Sequence, residues 1–234
     1  MVTLNPIVGV FVQIVPPLAI IRIQNAKHHN AMTLELWQTL PAVLAEAGAD
    51  PRVRVIIIRG AGDNAFVSGA DISEFSTIRA KGAPARKYDK ANSIAFAAIR
   101  QCEKPTLAMI HGYCMGGGFG IAAACDLRYA ADDCKFSIPA AKLGIGYPVD
   151  AMTDIVATVG PAVAKELFFT AKVVEAEEAL ELGIVNAVSS KTELETKVLK
   201  TANTIAAGAP LTLTATKKAI AAVLHPQNRA IDDA

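Results

Sequence analysis

The sequence His111-Gly112-Tyr113-Cys114-Met115-Gly116-Gly117-Gly118-Phe119-Gly120 decides the fold. It follows the apolar run Thr106–His111, which predicts a strand, and it leads into Phe119–Asp126, whose small apolar residues predict a buried helix. Because glycine allows close approach and unusual dihedrals, such a strand-to-helix turn can point backbone N–H groups at a ligand. The start of the helix adds partial positive charge. The segment therefore predicts a backbone site for an anion or for an oxygen that gains negative charge.

Three interpretations of this segment compete. Gly118, Gly120 and Ala123 match the GxGxxA pattern of dinucleotide-binding turns, but a lone match is weak. The second interpretation is purely structural, with glycines that permit close packing of the helix. The third is an oxyanion site, in which backbone N–H groups hold a negative oxygen, and it requires a second donor elsewhere in the chain.

The segment Phe66–Phe75 offers that second donor. Its Ser-Gly-Ala turn at residues 68–70 follows Val53–Arg59, a run rich in β-branched residues that predicts a strand buried on both faces. A turn of this composition between a strand and a helix again exposes backbone N–H groups. Asp71 comes next and has two interpretations, a catalytic acid or the N-cap of the helix that follows, of which we favour the cap.

Strand-like and helix-like segments alternate up to about residue 140, and helices dominate after it. The predicted strands are Val8–Val15, Leu18–Gln24, Val53–Arg59, Thr106–His111, Leu127–Ala130, Lys135–Ile138 and Ile184–Val188. The predicted helices include Leu34–Ala47, Arg86–Cys102, Phe119–Asp126, Glu175–Leu182, Thr192–Ala207 and Pro210–Leu224. Pro41 predicts a kink or an early end of the first helix. The order of elements predicts an α/β core over residues 1–188 and a C-terminal helical part over residues 189–234.

Composition limits the function. The chain has 234 residues, of which 52% are hydrophobic, so it can form one large globular domain. A net charge of +1 with scattered basic residues gives no electrostatic basis for binding nucleic acid or an anionic membrane. No apolar run reaches the roughly 20 residues of a membrane helix. The four cysteines form no CxxC pair, which favours free thiols in a reducing compartment. We therefore predict a cytoplasmic protein.

Four segments, in order along nearly the whole chain, resemble motifs of the crotonase (enoyl-CoA hydratase/isomerase) family. They are Gln24–Ala31 (NRPxxxNA), Phe66–Phe75 (FxxGADIxE), His111–Asp126 (NGxxxGGGxExAxxCD) and Gly160–Asn186 (GxxxAxELxxTGxxxxAxEAxxxGLVN). The resemblance implies a spiral of ββα turns with a C-terminal helical part, which we expect to be shorter here than in the family. It also implies assembly into trimers or dimers of trimers.

The resemblance implies an acyl-CoA substrate, with coenzyme A bound as part of the thioester and no tightly bound cofactor or metal. By position, the backbone N–H groups of Ala70 and Gly117 hold the thioester oxygen and stabilise the enolate that forms when the α-carbon carries charge. The positions on the coenzyme side are Ala26, Lys27, Ser68, Ala70, Asp71, Ile72 and Gly117.

Two positions depart from the family pattern. Hydratases of the family carry one glutamate at the position of Gly120 and another at the position of Ala140. Glycine and alanine cannot carry a proton, so ordinary hydration by the two-glutamate route is not expected. We expect hydration to rise if both carboxylates are restored by Gly120→Glu and Ala140→Glu.

The loop after Ala140 offers other groups for the chemistry. Some family isomerases place a carboxylate near Asp150, and some family decarboxylases carry a tyrosine at the place of Tyr147. The alternatives are a helix N-cap for Asp150 and a packing aromatic for Tyr147. Three functions follow: an isomerase or unusual hydratase with Asp150 as the leading proton carrier, a decarboxylase of a malonyl-type thioester that uses Tyr147, or a non-catalytic acyl-CoA binding subunit.

Overall fold

The fold is built from two β-sheets with helices around them. A computed structural model describes residues 7–71, 74, 83–147 and 149–224. The strands are β1 Gly9–Val15, β2 Leu18–Gln24, β3 Val55–Gly60, β4 Ala65–Val67, β5 Thr106–Ile110, β6 Tyr113–Met115, β7 Leu127–Ala131, β8 Lys135–Ser137, β9 Val174–Glu175 and β10 Ala187–Ser189. The helices are α1 Leu34–Ala49, α2 Ala83–Gln101, α3 Gly117–Ala124, α4 Ala140–Leu143, α5 Val149–Thr170, α6 Ala176–Glu181, α7 Leu194–Ala206 and α8 Pro210–Leu224.

From β3 to β8, successive strands alternate between the two sheets. The larger sheet has the order β1-β2-β3-β5-β7-β10, and the smaller one has the order β4-β6-β8-β9. Each of the pairs β3–β4, β5–β6 and β7–β8 sends its first strand to the large sheet and its second to the small sheet, and a helix follows. This is a spiral of ββα turns, as predicted, and the helices α6, α7 and α8 lie near the C-terminus.

The large sheet has a buried centre because its middle strands are apolar on both faces. Strand β5 is buried at every residue, and β3 is buried at all but Arg59. They pair in parallel with each other, β3 pairs in parallel with β2, and β5 pairs in parallel with β7. Continuous apolar runs are typical of parallel strands covered on both sides. The prediction of a doubly buried strand near residues 53–59 is therefore confirmed.

The first helix does not end early at Pro41, which was one of the two outcomes predicted from this proline. Thr33 caps it, since its Oγ1 accepts a hydrogen bond from the Leu36 N–H at 3.2 Å. The helix then continues through Pro41 to Ala49 and does not end early. Its buried side chains, which include the fully covered Trp37, pack against the core and outweigh the hydrogen bond that the proline removes.

Helix α5 consists of two helical segments joined at Gly160. This glycine has φ 74° and ψ 166°, which is not helical backbone, and a glycine adopts it readily. Pro161 follows it and stands in the first turn of the second segment, where its missing N–H and fixed φ are tolerated. Gly183, with φ 72°, lies just beyond α6, at the position where a glycine commonly ends a helix.

The C-terminal helices attach to the sheet. Helix α7 buries Leu194 and Val198 in the same apolar cluster as the strands. Helix α8 is held by polar contacts, of which the main one joins Lys217 Nζ to Asp126 Oδ2 at 2.7 Å. The same carboxylate oxygen accepts hydrogen bonds from the Thr106 N–H and hydroxyl at the start of β5. The division of the chain at residue 188 stays a prediction.

His111 lies at the end of β5 in a position that disfavours its charge. His111 is 5% exposed, and neither of its ring nitrogens has a hydrogen-bond partner among the described residues. Burial lowers the pKa of His111, and the nearby Arg59 lowers it further. Its surroundings therefore indicate a structural role for this histidine.

We expect His111 to make the protein less stable in mild acid. Its folded-state pKa is below the ordinary value of about 6.5, so below pH 6.5 the unfolded chain binds a proton that the folded protein resists. The free energy of unfolding should therefore fall between pH 7.5 and pH 5.5. His111→Leu should reduce that fall and should change stability at pH 7.5 by only about 1 kcal/mol, since it also removes two unsatisfied nitrogens.

Urea unfolding at the two pH values measures both effects. The control is His29→Asn, because His29 is exposed and its left-handed backbone suits asparagine. If His111→Leu keeps the wild-type difference between pH 7.5 and pH 5.5, His111 is not the group responsible.

Candidate active site

Two glycine turns meet at the end of the small sheet. Strands β4 and β6 pair in parallel, with Val67 opposite Cys114, so the turns that follow them lie side by side. Gly69 and Gly116 have φ of 109° and 51°. A residue with a side chain would be strained at these angles. A Cβ placed on Gly116 would lie 3.9 Å from the Gly69 Cα, which shows how closely the two turns approach.

Each turn presents a backbone N–H group. Met32 forms a β-bridge to the segment around Ala70. Its N–H donates to the Gly69 carbonyl at 2.8 Å, and its carbonyl accepts from the Asp71 N–H at 2.9 Å. The Ala70 N–H takes no part in this bridge. Gly117 begins α3, where the first N–H groups have no partner inside the helix. No described residue accepts a hydrogen bond from either N–H. Both are available to a ligand oxygen.

The residues predicted for the coenzyme side also come together. The short 3-10 helix Ala26–His28 contains Lys27 and packs against the turn at Ser68, whose hydroxyl donates to the His28 carbonyl at 3.1 Å. Asp71 ties the same loop, since its Oδ2 lies 2.8 Å from His28 Nδ1. Ile72, also predicted here, lies outside the described residues.

Asp71 is a buried carboxylate with a structural role in this loop. Its side chain is 7% exposed, and a second contact, from Asn25 Nδ2, reaches its Oδ2 at 3.4 Å. It does not line the cavity described below. The helix that we expected it to cap falls mostly outside the described residues, so the capping role stays a prediction.

A cavity of about 130 Å³ opens beside the two N–H groups. Its walls come from the two turns, from α1 and α2, and from the segment around α4 and the start of α5. The lining residues are Trp37, Ser68, Gly69, Ala70, Asp89, Asn92, Phe96, Gly116, Gly117, Pro139, Ala140, Leu143, Ile145, Gly146, Tyr147 and Ala151. Ala70 and Gly117, predicted as the two donors, thus share one mostly apolar cavity.

The two loop candidates differ in position. Tyr147 lines the cavity, its hydroxyl lies 3.4 Å from the place of a Cβ on Gly116, and its ring stacks edge-to-face on Phe168 at 5.0 Å. Asp150 is exposed in the first turn of α5, and Ala151 lines the cavity in its place. The expectation that the Asp150 carboxylate faces the acyl pocket is therefore not supported by its position.

Phe96 explains one of the two missing glutamates. A Cβ on Gly120 would lie 2.6 Å from the Phe96 Cζ, so the ring occupies the space next to this position. Phe96 is 1% exposed and packs edge-to-face on Trp37 at 5.3 Å, so the ring is enclosed by the core. A glutamate at position 120 would have to displace this ring, and the expectation that Gly120→Glu together with Ala140→Glu raises hydration stays a prediction.

Helix α2 contributes two polar groups that the sequence analysis missed. Asp89, Asn92 and Phe96 are spaced at i, i+3 and i+7, so they share one face of the helix, and all three line the cavity. Ile94, on another face of this helix, is 49% exposed despite its apolar side chain. The aromatic Phe96 indicates which face of the helix is buried. Helical spacing from Phe96 places Asn92, Asp89 and the buried Ile99 on that same face.

A buried hydrogen-bond chain fixes helix α2 relative to the oxyanion turn. Trp37 Nε1 donates to the Tyr88 hydroxyl at 2.8 Å, and that hydroxyl donates to the Met32 carbonyl at 3.1 Å. The Met32 carbonyl also accepts from the Asp71 N–H, next to Ala70. Because Tyr88 is 1% exposed and precedes Asp89, this chain holds the polar face of α2 at a set distance from the turn.

The cysteines take no part in the site. All four are free, and Cys114, on β6 behind the glycine turn, is fully buried. Burial raises the pKa of Cys125 and of Cys134 to about 12 and raises the pKa of Cys114 well above its ordinary value. These three thiols stay protonated, so they are poor nucleophiles and poor metal ligands.

A larger groove lies away from the Ala70 and Gly117 N–H groups. It has a volume of about 480 Å³ between α1, α2 and α8, and Leu44 and Leu213 form part of its apolar wall. Its charged residues make contacts of their own: Lys104 Nζ donates to the Asp50 carbonyl at 2.6 Å, Glu103 pairs with Lys218 at 2.9 Å, and Arg54 Nη2 donates to the Gly208 carbonyl at 2.7 Å. Nothing in this groove resembles a reaction centre.

The described ranges contain neither a metal-binding cluster nor a membrane-spanning helix. No group of three or more histidine, cysteine or acidic side chains in these ranges could hold a metal ion. No helix there combines the length and apolar character required to span a membrane.

The Phe96–Gly120 contact can be tested by stability alone. Gly120→Ala should destabilise the protein by about 1–3 kcal/mol through overpacking, although alanine in a helix is normally favoured over glycine by about 1 kcal/mol. In a Phe96→Leu background the same change should cost much less. The double-mutant cycle is measured by urea unfolding, and additive effects would show that Phe96 does not occupy this space.

The comparisons with known proteins agree with this geometry. The profile of the enoyl-CoA hydratase/isomerase family matches residues 15–232. A short-chain-enoyl-CoA hydratase from Clostridium acetobutylicum is 34% identical over 203 residues, which cover 87% of this chain and 77% of that protein. A peroxisomal Delta(3,5)-Delta(2,4)-dienoyl-CoA isomerase from Arabidopsis thaliana is 36% identical over 206 residues, covering 83% and 74%.

A solved structure shows the same fold. An enoyl-CoA hydratase/carnithine racemase from Magnetospirillum magneticum superimposes with a TM-score of 0.90 at 34% identity, and the match covers 93% of this chain and 81% of that one. The family profile covers most of the chain, and relatives above 30% identity support it. The chain therefore belongs to the enoyl-CoA hydratase/isomerase (crotonase) family.

Proposed function

We propose that this protein is an acyl-CoA enzyme that moves a proton at the carbon next to the thioester. The thioester oxygen binds to the N–H groups of Ala70 and Gly117, and the enolate that forms on loss of the α-proton is stabilised there. The reaction is an isomerisation or a hydration of an unusual type. The observation that carries this proposal is that two N–H groups, neither of which donates to a described residue, belong to residues that line one cavity.

The physical basis is preorganisation. Two fixed donors in a mostly apolar cavity stabilise charge as it develops on the oxygen, and they require no reorganisation during the reaction. Each such donor typically contributes about 100- to 1,000-fold in rate. The glycines at positions 69 and 116 hold the turns in dihedrals that aim these groups, which explains why no side chain of Ala70 or Gly117 carries chemistry.

Ordinary hydration through two glutamates has no place in this mechanism. Ala140 lines the cavity with a methyl group, and Gly120 faces the Phe96 ring. The relatives nevertheless include proteins named as a hydratase and as a dienoyl-CoA isomerase, so both reaction types remain within reach of the fold. Coenzyme A enters as part of the substrate, along the loop of Lys27 and the turn at Ser68.

A second candidate is the decarboxylation of a malonyl-type thioester. The observation that favours it is the Tyr147 hydroxyl, which lies beside Gly116 in the cavity and can orient a carboxylate. Loss of CO₂ leaves an enolate in the same pair of N–H groups and needs no strong base. A non-catalytic acyl-CoA binding subunit would show neither α-proton exchange nor release of CO₂ from malonyl-CoA.

Assembly and location belong to the proposal as well. We propose a homotrimer or a dimer of trimers in the cytoplasm, on the strength of the family alone. Light scattering coupled to size exclusion gives the mass directly, and a monomer of 24.5 kDa would contradict the assembly.

Ligand class is the first test. Acetyl-CoA or free coenzyme A should raise the melting temperature, and NAD and FAD should not. A ligand at 100 times its dissociation constant stabilises the folded state by about 2.7 kcal/mol. A shift with NAD and none with any CoA compound would contradict the proposal.

The Ala70 N–H is the second test. Ala70→Pro deletes this donor, so exchange of α-hydrogens of an accepted acyl-CoA with D₂O, followed by NMR, should fall at least 100-fold. Ala70→Ser keeps the N–H and should lose far less. Gly117→Val is a poor test because a Cβ there would lie 2.8 Å from the Trp37 ring and disturb the core. Undiminished exchange by folded Ala70→Pro would remove Ala70 from this role.

A further inference from the structure

The structure leaves the proposed reaction without a proton carrier at the two expected positions. Ala140 and Gly120 carry no carboxylate, and Asp150 is exposed outside the cavity lining. A group that exchanges protons with the substrate has to reach the acyl chain. Among the described residues that line the cavity, Asp89 supplies the single carboxylate.

Asn92 adds a second, independent observation. It lies one helical turn after Asp89 and lines the same cavity. Its carboxamide oxygen Oδ1 is buried and accepts no hydrogen bond from any described residue. A buried acceptor without a donor costs stability, and each such group calls for an explanation. Because Asn92 lines the cavity together with Trp37 and Phe96, a ligand that enters there can supply the missing O–H or N–H donor.

We propose that Asp89 and Asn92 replace the missing glutamates in the hydration of an enoyl-CoA, the reaction for which the Clostridium relative is named, so that the acyl chain carries a hydroxyl group on C3 in one direction of the reaction. Asp89 is the acid–base residue, and the Asn92 Oδ1 accepts the hydrogen bond of the C3 hydroxyl. The proposal rests on the function proposed above, because it needs the thioester oxygen at Ala70 and Gly117.

The chemistry balances with one carboxylate. The Asp89 carboxylate removes a proton from C2, and the C2–H electron pair forms the enolate, whose oxygen lies between the two N–H groups. The enolate expels the C3 hydroxyl, the C3–O electron pair leaves with it, and the C2=C3 double bond forms. The protonated Asp89 returns its proton to the departing hydroxide, which becomes water. The net reaction converts a 3-hydroxyacyl thioester into a 2-enoyl thioester and water, and it runs in both directions.

Packing explains how these groups reach the substrate from a helix. Phe96 fills the space beside Gly120 and so joins α2 to the first helix turn behind the Gly117 donor. The chain from Trp37 through the Tyr88 hydroxyl to the Met32 carbonyl joins α2 to the Ala70 turn. Both ends of the oxyanion site are thereby connected to the helix that carries Asp89 and Asn92.

The main experiment is the interconversion of 3-hydroxybutyryl-CoA and crotonyl-CoA, followed by absorbance, together with α-hydrogen exchange in D₂O. A four-carbon chain is chosen because a cavity of about 130 Å³ takes a group about the size of benzene. Asp89→Asn keeps the shape but cannot carry the proton, so its turnover should fall about 100- to 10,000-fold. Asp89→Glu should recover part of this loss.

Binding is measured separately, so that folding and chemistry are not confused. Calorimetric titration with butyryl-CoA, which has no hydroxyl, should give a dissociation constant for Asp89→Asn within about twofold of wild type. The matched control is Glu177→Gln, an exposed carboxylate on α6, which should keep the wild-type rate. Full turnover by Asp89→Asn overturns the role of Asp89. So does a loss of turnover in Asp150→Asn while Asp89→Asn keeps its turnover.

Asn92→Leu separates a substrate contact from a structural one. It removes an unsatisfied acceptor, so the melting temperature should stay equal or rise, whereas kcat/KM for 3-hydroxybutyryl-CoA should fall about five- to tenfold. Binding of butyryl-CoA should stay within about twofold. A lower melting temperature with equal losses for both ligands would mean that Asn92 is structural, and the hydroxyl contact would be overturned.

The two proposals fail in different ways. If the wild type exchanges α-hydrogens and Asp89→Asn does so equally well, the proposed function stands and this inference falls. If the wild type acts on no acyl-CoA and none stabilises it, both fall.

Discussion

The parallel pairing of β4 with β6 is the constraint on which the site depends. It places the turns after Val67 and Met115 at one edge of the small sheet, so two backbone N–H groups reach a single cavity. The glycines at these turns cannot be exchanged freely, because a positive φ strains any residue that has a side chain, and a Cβ on Gly69 would also lie 3.3 Å from the Met115 carbonyl oxygen. In the proposed mechanism the donors belong to the backbone, so the fold itself forms the larger part of the catalytic device.

Helix α2 determines what chemistry the site can do. Its Phe96 ring excludes a long side chain at Gly120, and the same helical face brings Asp89 and Asn92 to the cavity wall. Arg100, further along α2, pairs with the buried Asp154 of α5 at 2.6 Å. One helix thus contacts the oxyanion turns and the opposite wall together. Substitutions in its core face should alter reaction type and stability at once.

Much of the architecture could be predicted from residue pattern, and the misses have physical causes. Long apolar runs such as Leu18–Gln24 and the helix at Pro210–Leu224 have their predicted bounds. The three-residue strands Ala65–Val67 and Tyr113–Met115 lie in glycine-rich segments where the sequence predicts turns, since a strand this short carries no periodicity. Tertiary pairing alone makes them strands. The ββα repeat is invisible in the sequence for the same reason.

For the site, the sequence by itself determined the two glycine turns, the absence of carboxylates at positions 120 and 140, and the family. These depend on residue identity and spacing, which a sequence contains in full. Only the tertiary structure decided that Asp150 is exposed while Asp89 and Asn92 line the cavity. The reason is that a helix has polar residues on every side, and only packing against Gly120 and Trp37 selects the face that turns inward.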